Sequence, residues 1–317
     1  MAILLGSEIV TAIVFGSINM DLVARTPRLP EEGETLLGSD FFMTPGGKGA
    51  NQAVALAKLR VPTQMVGRVG ADAFGQELLA HLKLAGVQTS SVLVDQDHHS
   101  GVAIITVADG GKNQIIGVLG ANGQMGAGDV ERLKVLLPQA QVLLLQLEVP
   151  LSAVRAAARA AHQAGVRVIL DPAPVQTTQL TDLYPLLDIL VPNEVEAGQL
   201  VGFSVNDPET AARAATVLRQ QGANTVIVKL GGQGAFCASA NEMFWVPAFA
   251  VEAVDTVAAG DAFAGGLVAA LVEGLPLQQA VIWGAAAGAL AVTRVGAQAA
   301  MSDRPEFEAF LAERGAG

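Results

Sequence analysis

Only one of the 317 residues is a cysteine, Cys237, so no intrachain disulfide framework can form and the chain suits a reducing, cytoplasmic setting. There are four histidines, and His81, His98, His99 and His162 lie at no zinc-ligand spacing from one another or from Cys237. Excess positive charge is missing as well. Nineteen Lys and Arg against 30 Asp and Glu leave a net charge of −11, which argues against a general nucleic-acid or anionic-membrane surface but leaves room for a local phosphate site. Aromatic residues make up 4% and charged residues 15%, while 51% are hydrophobic and Gly, Ala, Val and Leu abound. That balance excludes disorder and fits close packing of helices on a sheet. No internal repeat, linker or low-complexity tract interrupts the chain.

Several common chemistries are absent too. Gly47-Lys48 is followed by Gly49 and not by Ser or Thr, so this is no Walker A loop, and the spacing of a dinucleotide fingerprint fails. No Gly-x-Ser-x-Gly elbow with a plausible His partner stands out. The apolar run from Met1 to Ile18 lacks a basic start and carries Glu8, so a buried strand at Ala12-Ile13-Val14-Phe15 explains it better than a signal peptide. The Ala-rich stretch from Ala280 to Thr293 is too short for a confident membrane span, and a soluble protein is expected.

What is present is a strand–helix rhythm. Strands are expected at 62–70, 142–147, 166–170, 189–191 and 225–229, with helices at 74–85 and 151–164. Two β-branched runs, 101–108 and 114–119, flank Asp109-Gly110-Gly111-Lys112-Asn113 and predict a hairpin in a small β-layer outside the main sheet. Residues 25–44, rich in Pro, Gly and Glu, read as an irregular extended segment. Several expected strands end in polar residues: Glu148, Asp171, Asn193 and Lys229. In open α/β sheets ligands bind at such ends.

Asp255-Thr256-Val257-Ala258-Ala259-Gly260-Asp261 runs into a long apolar helix. Free amides at a helix start can hold an anion, and Asp261 beside them can take a proton. Taken alone, the stretch equally describes an ordinary helix start with an acidic first turn. Asn19 and Asp21 are two apart and share a face of an extended segment, suited to a polyol or to a turn. The glycine turn Gly46-Gly47-Lys48-Gly49-Ala50-Asn51 feeds another helix and can surround a small polar ligand. Asn193 and Glu196 lie three apart on a helical face, which suits either a hydrated magnesium ion near phosphates or a plain helix start.

Together these stretches resemble the ribokinase-like (PfkB) carbohydrate kinase family. The resemblance rests on Gly46-Gly47-Lys48-Gly49-Ala50-Asn51-Gln52-Ala53 and on Asp255 to Leu267. It extends through Gly16 to Asp21, Gln146-Leu147-Glu148, Asp171 to Pro174, Pro192 to Glu196, Leu230 to Gly234 and Ala291 to Gln298, from about residue 12 to the C-terminus. It implies a single domain over 1–317: a three-layer α/β/α sandwich with a mostly parallel central sheet and a β-lid from about 18–48 and 98–122. The implied reaction is phosphorylation of D-ribose at O5 by ATP, giving ribose 5-phosphate and ADP. By the resemblance Asp261 is the base, and the amides of Ala258, Ala259, Gly260 and Asp261 form the anion hole. Asn19, Asp21, Gly46, Gly47, Lys48, Asn51 and Glu148 match sugar-binding positions. Asn193, Lys229, Gly231, Gly232, Gly234, Gly260 and Gly284 fall at nucleotide positions, with Lys229 standing where a small hydroxyl residue is common and Gly284 where a larger polar one is.

Glu196 matches the residue linked to Mg2+. Asp255 and the carbonyls of Val257, Ala291, Arg294 and Gly296 match a monovalent-cation site, typically K+, in which Ala300 replaces the usual serine. A homodimer through the lids is expected. The rival readings are a related kinase for another sugar or a nucleoside, and a catalytically silent sugar- or nucleotide-binding regulator.

Overall fold

The computed structural model describes residues 12–175 and 180–316; the first eleven residues, including Glu8, lie outside them. β1 (Ala12–Phe15) is wholly buried and divides between two cores, Ala12 and Val14 entering one while Ile13 and Phe15 enter the other. A strand covered on both faces by helices must show that split, because successive side chains alternate. The chain then leaves the main sheet to form the antiparallel pair β2 (Asn19–Thr26) and β3 (Asp40–Gly46). It returns through α1 (Lys48–Lys58) to β4 (Thr63–Gly70), α2 (Ala73–Leu84) and β5 (Gln88–Asp95). β6 (Gly101–Ala108) and β7 (Asn113–Val118) make the expected hairpin.

From α3 (Ala127–Leu136) onward the alternation is regular, through β8 (Val142–Leu145), α4 (Leu151–Gln163), β9 (Arg167–Leu170) and β10 (Ile189–Leu190). α5 (Glu194–Val201) and α6 (Pro208–Gln220) lead to β11 (Thr225–Lys229) and the hairpin of β12 (Gly234–Ala238) and β13 (Met243–Pro247). Then come α7 (Ala259–Val272), α8 (Leu277–Ala291) and α9 (Arg304–Glu313).

The nine-stranded sheet has the order β13-β12-β11-β10-β9-β8-β1-β4-β5 and is parallel apart from the β11–β12 and β12–β13 pairs. Residues of α1, α2, α7, α8 and α9 fill the core on one face, and those of α3, α4, α5 and α6 fill the core on the other. β1 lies between β4 and β8, so the strand order reverses beside it. A crevice opens at such a reversal, outside the carboxyl ends of the strands. Here Gly16 to Asp21 follow β1, Gln146 to Glu148 follow β8, and Asp171 follows β9.

A separate sheet, β3-β2-β6-β7, projects from that edge and includes one parallel pair, β2 with β6. Its third member corrects one expectation. Residues 27–39 have no strand or helix, but Asp40 to Gly46 at the end of the supposedly irregular segment form β3, with Phe42 opposite Val23 and Met43 opposite Leu22. Phe41-Phe42-Met43 favours a pleated surface, and the Pro, Gly and Glu residues before it masked that short signal.

Candidate active site

α7 begins with a strained turn. Ala258 stands at its N-cap with φ 58°, a left-handed conformation that a Cβ disfavours by roughly 1–2 kcal/mol. The turn delivers the amides of Gly260 and Asp261 as first-turn groups without intrahelical acceptors. Asp261 is 3% exposed, and both of its oxygens are occupied: Asn51 Nδ2 donates to Oδ2 at 3.0 Å and Gln52 Nε2 to Oδ1 at 3.0 Å. Burial pushes the Asp261 carboxyl above its usual range. Lys48 opposes that shift, Asp171 adds to it, and the Asn51 and Gln52 amides pull back toward the ionised form.

On one side of Asp261 lie residues from the start of the chain. Ser17 Oγ donates to Glu148 Oε2 at 2.6 Å, tying the end of β1 to the end of β8, and the Lys48 amide donates to the same oxygen at 3.0 Å. Asn19 and Asp21 lie on one face of β2, as their spacing predicts. A Cβ on Gly46 would stand 2.2 Å from Asp21 Oδ2, so only glycine lets that carboxylate sit there. Asn122 donates to the Ile18 carbonyl at 3.1 Å and to Asn19 Oδ1 at 2.8 Å, leaving the Asn19 amide hydrogens for other acceptors. Burial, followed by the charges of Glu148 and Asp261, pushes the Asp21 carboxyl up to about 7. Burial pushes the Lys48 ammonium down, but Asp261, Asp171, Glu148 and Glu196 outweigh it, and the group stays protonated.

On the other side opens a cavity of about 640 Å3, lined among others by Lys48, Asn193, Glu196, Lys229, Gly231, Gly232, Gly234 and Ala258 to Asp261. Residues from six distant stretches thus meet on one wall. Lys229 Nζ donates to Asp171 Oδ1 at 3.0 Å and would stand 3.3 Å from a Cβ on Gly260, so this ammonium lies beside the anion turn. Asn193 and Glu196 form a capping box at the start of α5: the Glu196 amide donates to Asn193 Oδ1, while Asn193 N and Nδ2 donate to the two Glu196 oxygens. The helix-start reading of that spacing is realised, and the same two residues also line the cavity. Burial and Asp171 raise the Glu196 carboxyl, against Lys229, Asn193 and Lys48.

Gly284 is not on this wall. A Cβ there would stand 3.0 Å from the Phe263 ring, which makes it a close-packing position between α8 and α7, and Ala285, Gly288 and Ala289 line the cavity instead.

The residues matched to the monovalent-cation site also come together. Asp255 Oδ1 accepts from the Val257 amide at 3.0 Å and Oδ2 from the Gly296 amide at 2.9 Å. The Ala291 carbonyl accepts the Arg294 amide at 3.3 Å, and the Arg294 side chain pairs with Glu306. Asp255 thus ties Val257, just ahead of α7, to the turn at Gly296. Ala300 is fully buried and contributes no hydroxyl. Among the described residues no group of three or more His, Cys, Asp or Glu could cage a metal. Glu196, the residue matched to the Mg2+-linked position, lines the cavity.

Sequence reasoning passed over several buried participants. Ser17, Gln52, Gln146 and Gln298 lie within the motifs and Asn122 at the end of the second lid stretch, yet each meets a partner 94 to 247 positions away. No spacing rule reaches that far. Among the described residues no helix is long and apolar enough to cross a membrane.

A buried carboxylate at a helix start, with the Asn19, Asp21 and Glu148 side chains on one side and a glycine-walled cavity on the other, fits a small-molecule kinase. The chain belongs to the pfkB family of carbohydrate kinases, whose profile matches residues 11–304. It is similar to the ribokinase of Haemophilus influenzae, at 39% identity over 95% of this chain and 98% of that protein. A deoxyribokinase of Salmonella typhi is 36% identical over 94% of this chain and 97% of its own. Among solved structures, Arabidopsis thaliana ribokinase complexed with ribose and ATP matches with a TM-score of 0.87 at 35% identity, covering 95% of this chain and 98% of that one.

Proposed function

We propose that this carbohydrate kinase transfers the γ-phosphoryl group of ATP to the 5-hydroxyl of D-ribose. The observation that carries the reading is the position of Asp261: buried, at the first turn of α7, with the cavity on one side and the Asn19–Asp21–Glu148 pocket on the other. ATP occupies the glycine-walled cavity, with Asn193 and the Gly231 to Gly234 loop around it. Ribose lies against Asn19, Asp21, Gly46, Gly47, Lys48, Asn51 and Glu148.

The ribose O5 proton passes to the Asp261 carboxylate as the O5–phosphorus bond forms and the bond from phosphorus to the ADP oxygen breaks. Amides of Ala258 to Asp261, with Lys48 and Lys229, stabilise the charge on the transferring group. Mg2+ carried on the ATP phosphates would neutralise part of their charge, with Glu196 the carboxylate placed to meet it. Asp255 and the carbonyls of Val257, Ala291, Arg294 and Gly296 would hold K+, which would supply positive charge near the anion turn. The enzyme works in the cytoplasm as a homodimer through its lid sheets. In support, Phe41, Met43, Ile104, Ile115 and Ile116 form apolar surface exposed on the lid.

The deoxyribokinase relative favours one second reading, 2-deoxyribose as the preferred acceptor. Coupled ADP release with ribose, 2-deoxyribose, fructose and adenosine, each with and without K+, tests both. A kcat/KM for ribose at least tenfold above the others supports the assignment, and a preference for any other acceptor overturns it.

A further inference from the structure

The Asp261 carboxylate can only accept hydrogen bonds, and this fixes the direction of everything behind it. Asn51 and Gln52 must turn their NH2 groups inward, as they do, and their own carbonyl oxygens are then left needing donors. Two more amides supply them. Gln146 Nε2 donates to Gln52 Oε1 at 2.5 Å, and Gln298 Nε2 donates to Asn51 Oδ1 at 3.0 Å. The Gln298 backbone carbonyl accepts Lys58 Nζ at 3.0 Å. Gln52 has a second role, since its Nε2 lies 3.0 Å from Asp261 Oδ1 and 2.9 Å from Asp171 Oδ2, so its two hydrogens serve two carboxylates. The other oxygen of Asp171 holds Lys229, on the nucleotide side.

Gln52 and Gln146 are both 0% exposed, and neither lines the cavity. Four amides from α1, the end of β8 and the turn after α8 thus converge on a single buried carboxylate. Burying that much amide is costly unless its donors and acceptors are met: the inner oxygens, on Asp261, Asn51 and Gln52, all accept a bond, whereas Gln146 Oε1 and Gln298 Oε1 at the outer ends have no partner among the described residues.

We propose that Gln52, backed by Gln146, is the positioning residue of the base: it fixes the rotation of the Asp261 carboxylate and couples it to the Asp171–Lys229 pair on the nucleotide side. This rests on the reading of Asp261 as the base. The charged groups facing Asp261 are Lys48 from α1, Asp171 after β9 with its partner Lys229 at the end of β11, and Asp21 from β2. Of the groups around the carboxylate, Gln52 donates to its ionised form without touching the sugar or the nucleotide. Its loss therefore acts on the chemical step and on the protonation of the base, and leaves substrate affinity alone.

The test compares Gln52→Met, Gln146→Leu and Asp261→Asn with the unaltered enzyme, measuring kcat and the KM for ribose from pH 5.5 to 9. Gln52→Met keeps the side-chain length and removes the two hydrogen bonds it donates and the one it accepts from Gln146. It is expected to lower kcat roughly ten- to a hundredfold with the ribose KM changed less than threefold. The acidic limb of its kcat profile moves up by about one pH unit, because a donor to the carboxylate has gone. Gln146→Leu, one bond further back, moves both quantities the same way by less, and it carries the test if Gln52→Met does not fold. An unmoved acidic limb, or a loss expressed in KM and not in kcat, overturns the proposal while Asp261→Asn stays inactive. Turnover retained by Asp261→Asn would instead sink the base assignment itself.

Discussion

The floor of the site and the lid above it are built on opposite principles. On the floor, Asp261, Asn51, Gln52, Asp171 and Lys229 are buried, and their polar atoms meet partners within the chain. On the lid, β7 is exposed along its entire length, and isoleucines stand in solvent on both of its faces. Floor groups are already in place before anything binds, so they cost no reorganisation when charge develops in the transition state. The lid is unfinished: it presents an apolar surface and a free strand edge that a monomer leaves uncovered. One carboxylate pair spans the two regions, Asp261 below and Asp21 above, close enough that the charge of Asp261 helps raise the Asp21 carboxyl, and the proposed sugar site lies between them.

The strongest break of the floor is Asp261→Asn. It preserves the shape and the Asn51 bond but cannot take a proton. Turnover should fall by about a thousandfold, within the usual range for loss of a general base, with sugar affinity held within a few-fold. Single-turnover phosphoryl transfer and ribose binding by calorimetry separate the two; a loss of less than tenfold in transfer would deny Asp261 its role.

Asp21 tests the join. With its carboxyl at about 7, it is largely protonated at pH 6 and largely ionised at pH 8, and only the ionised form accepts two sugar hydroxyls with full charge. Ribose affinity should therefore rise with pH through that window, since the acceptor gains charge as the proton leaves. Asp21→Asn should weaken kcat/KM for ribose about ten- to a hundredfold and flatten the pH dependence of affinity. A variant that binds ribose normally, or that keeps the same slope, would place the polyol elsewhere.

Replacing Ile115 and Ile116 with lysine puts a charge on each face of the lid's edge strand. If lid packs on lid, sedimentation should show the dimer dissociating at concentrations about a hundredfold higher than before, while the floor, and with it the melting temperature, changes little. A dimer of unchanged strength would mean that the lid surface is covered by something else.

The contrast also explains what could be read from the chain alone. β1, β8 and β11 announce themselves as apolar runs because they are covered on both faces, and the β6–β7 hairpin does so by its turn chemistry. The Asp261 helix start was visible as a pattern, although its meaning depended on other motifs in the right order. β3 was hidden because its three bulky residues follow a stretch whose composition speaks for irregular chain. Gly284, placed at the nucleotide by resemblance, serves the crossing of α7 and α8 instead. The amide network was unreadable for a different reason. A glutamine in a helix carries no periodic signal, and Gln52 meets Asp261 across 209 positions.

The smallest expected effect lies at the edge of the floor, where Ala300 sits fully buried near the Asp255 loop. Ala300→Ser adds a hydroxyl to a site that otherwise offers the Asp255 carboxylate and carbonyls. In the absence of a bound cation, that hydroxyl is a buried polar group without a partner, at a cost of about 1–3 kcal/mol. With K+ present the same oxygen becomes a ligand. The variant should therefore melt lower than the unaltered chain in sodium-free, potassium-free buffer and recover on adding K+, with the K+ needed for half-maximal turnover falling two- to fivefold, about 0.4–1 kcal/mol of cation affinity. Turnover at saturating K+ should not change, because Asp255 holds the Val257 amide just ahead of the anion turn in either case. If K+ neither restores the melting temperature nor shifts its activation curve, the Asp255 loop holds no cation, and the anion turn is supported by its own hydrogen bonds alone.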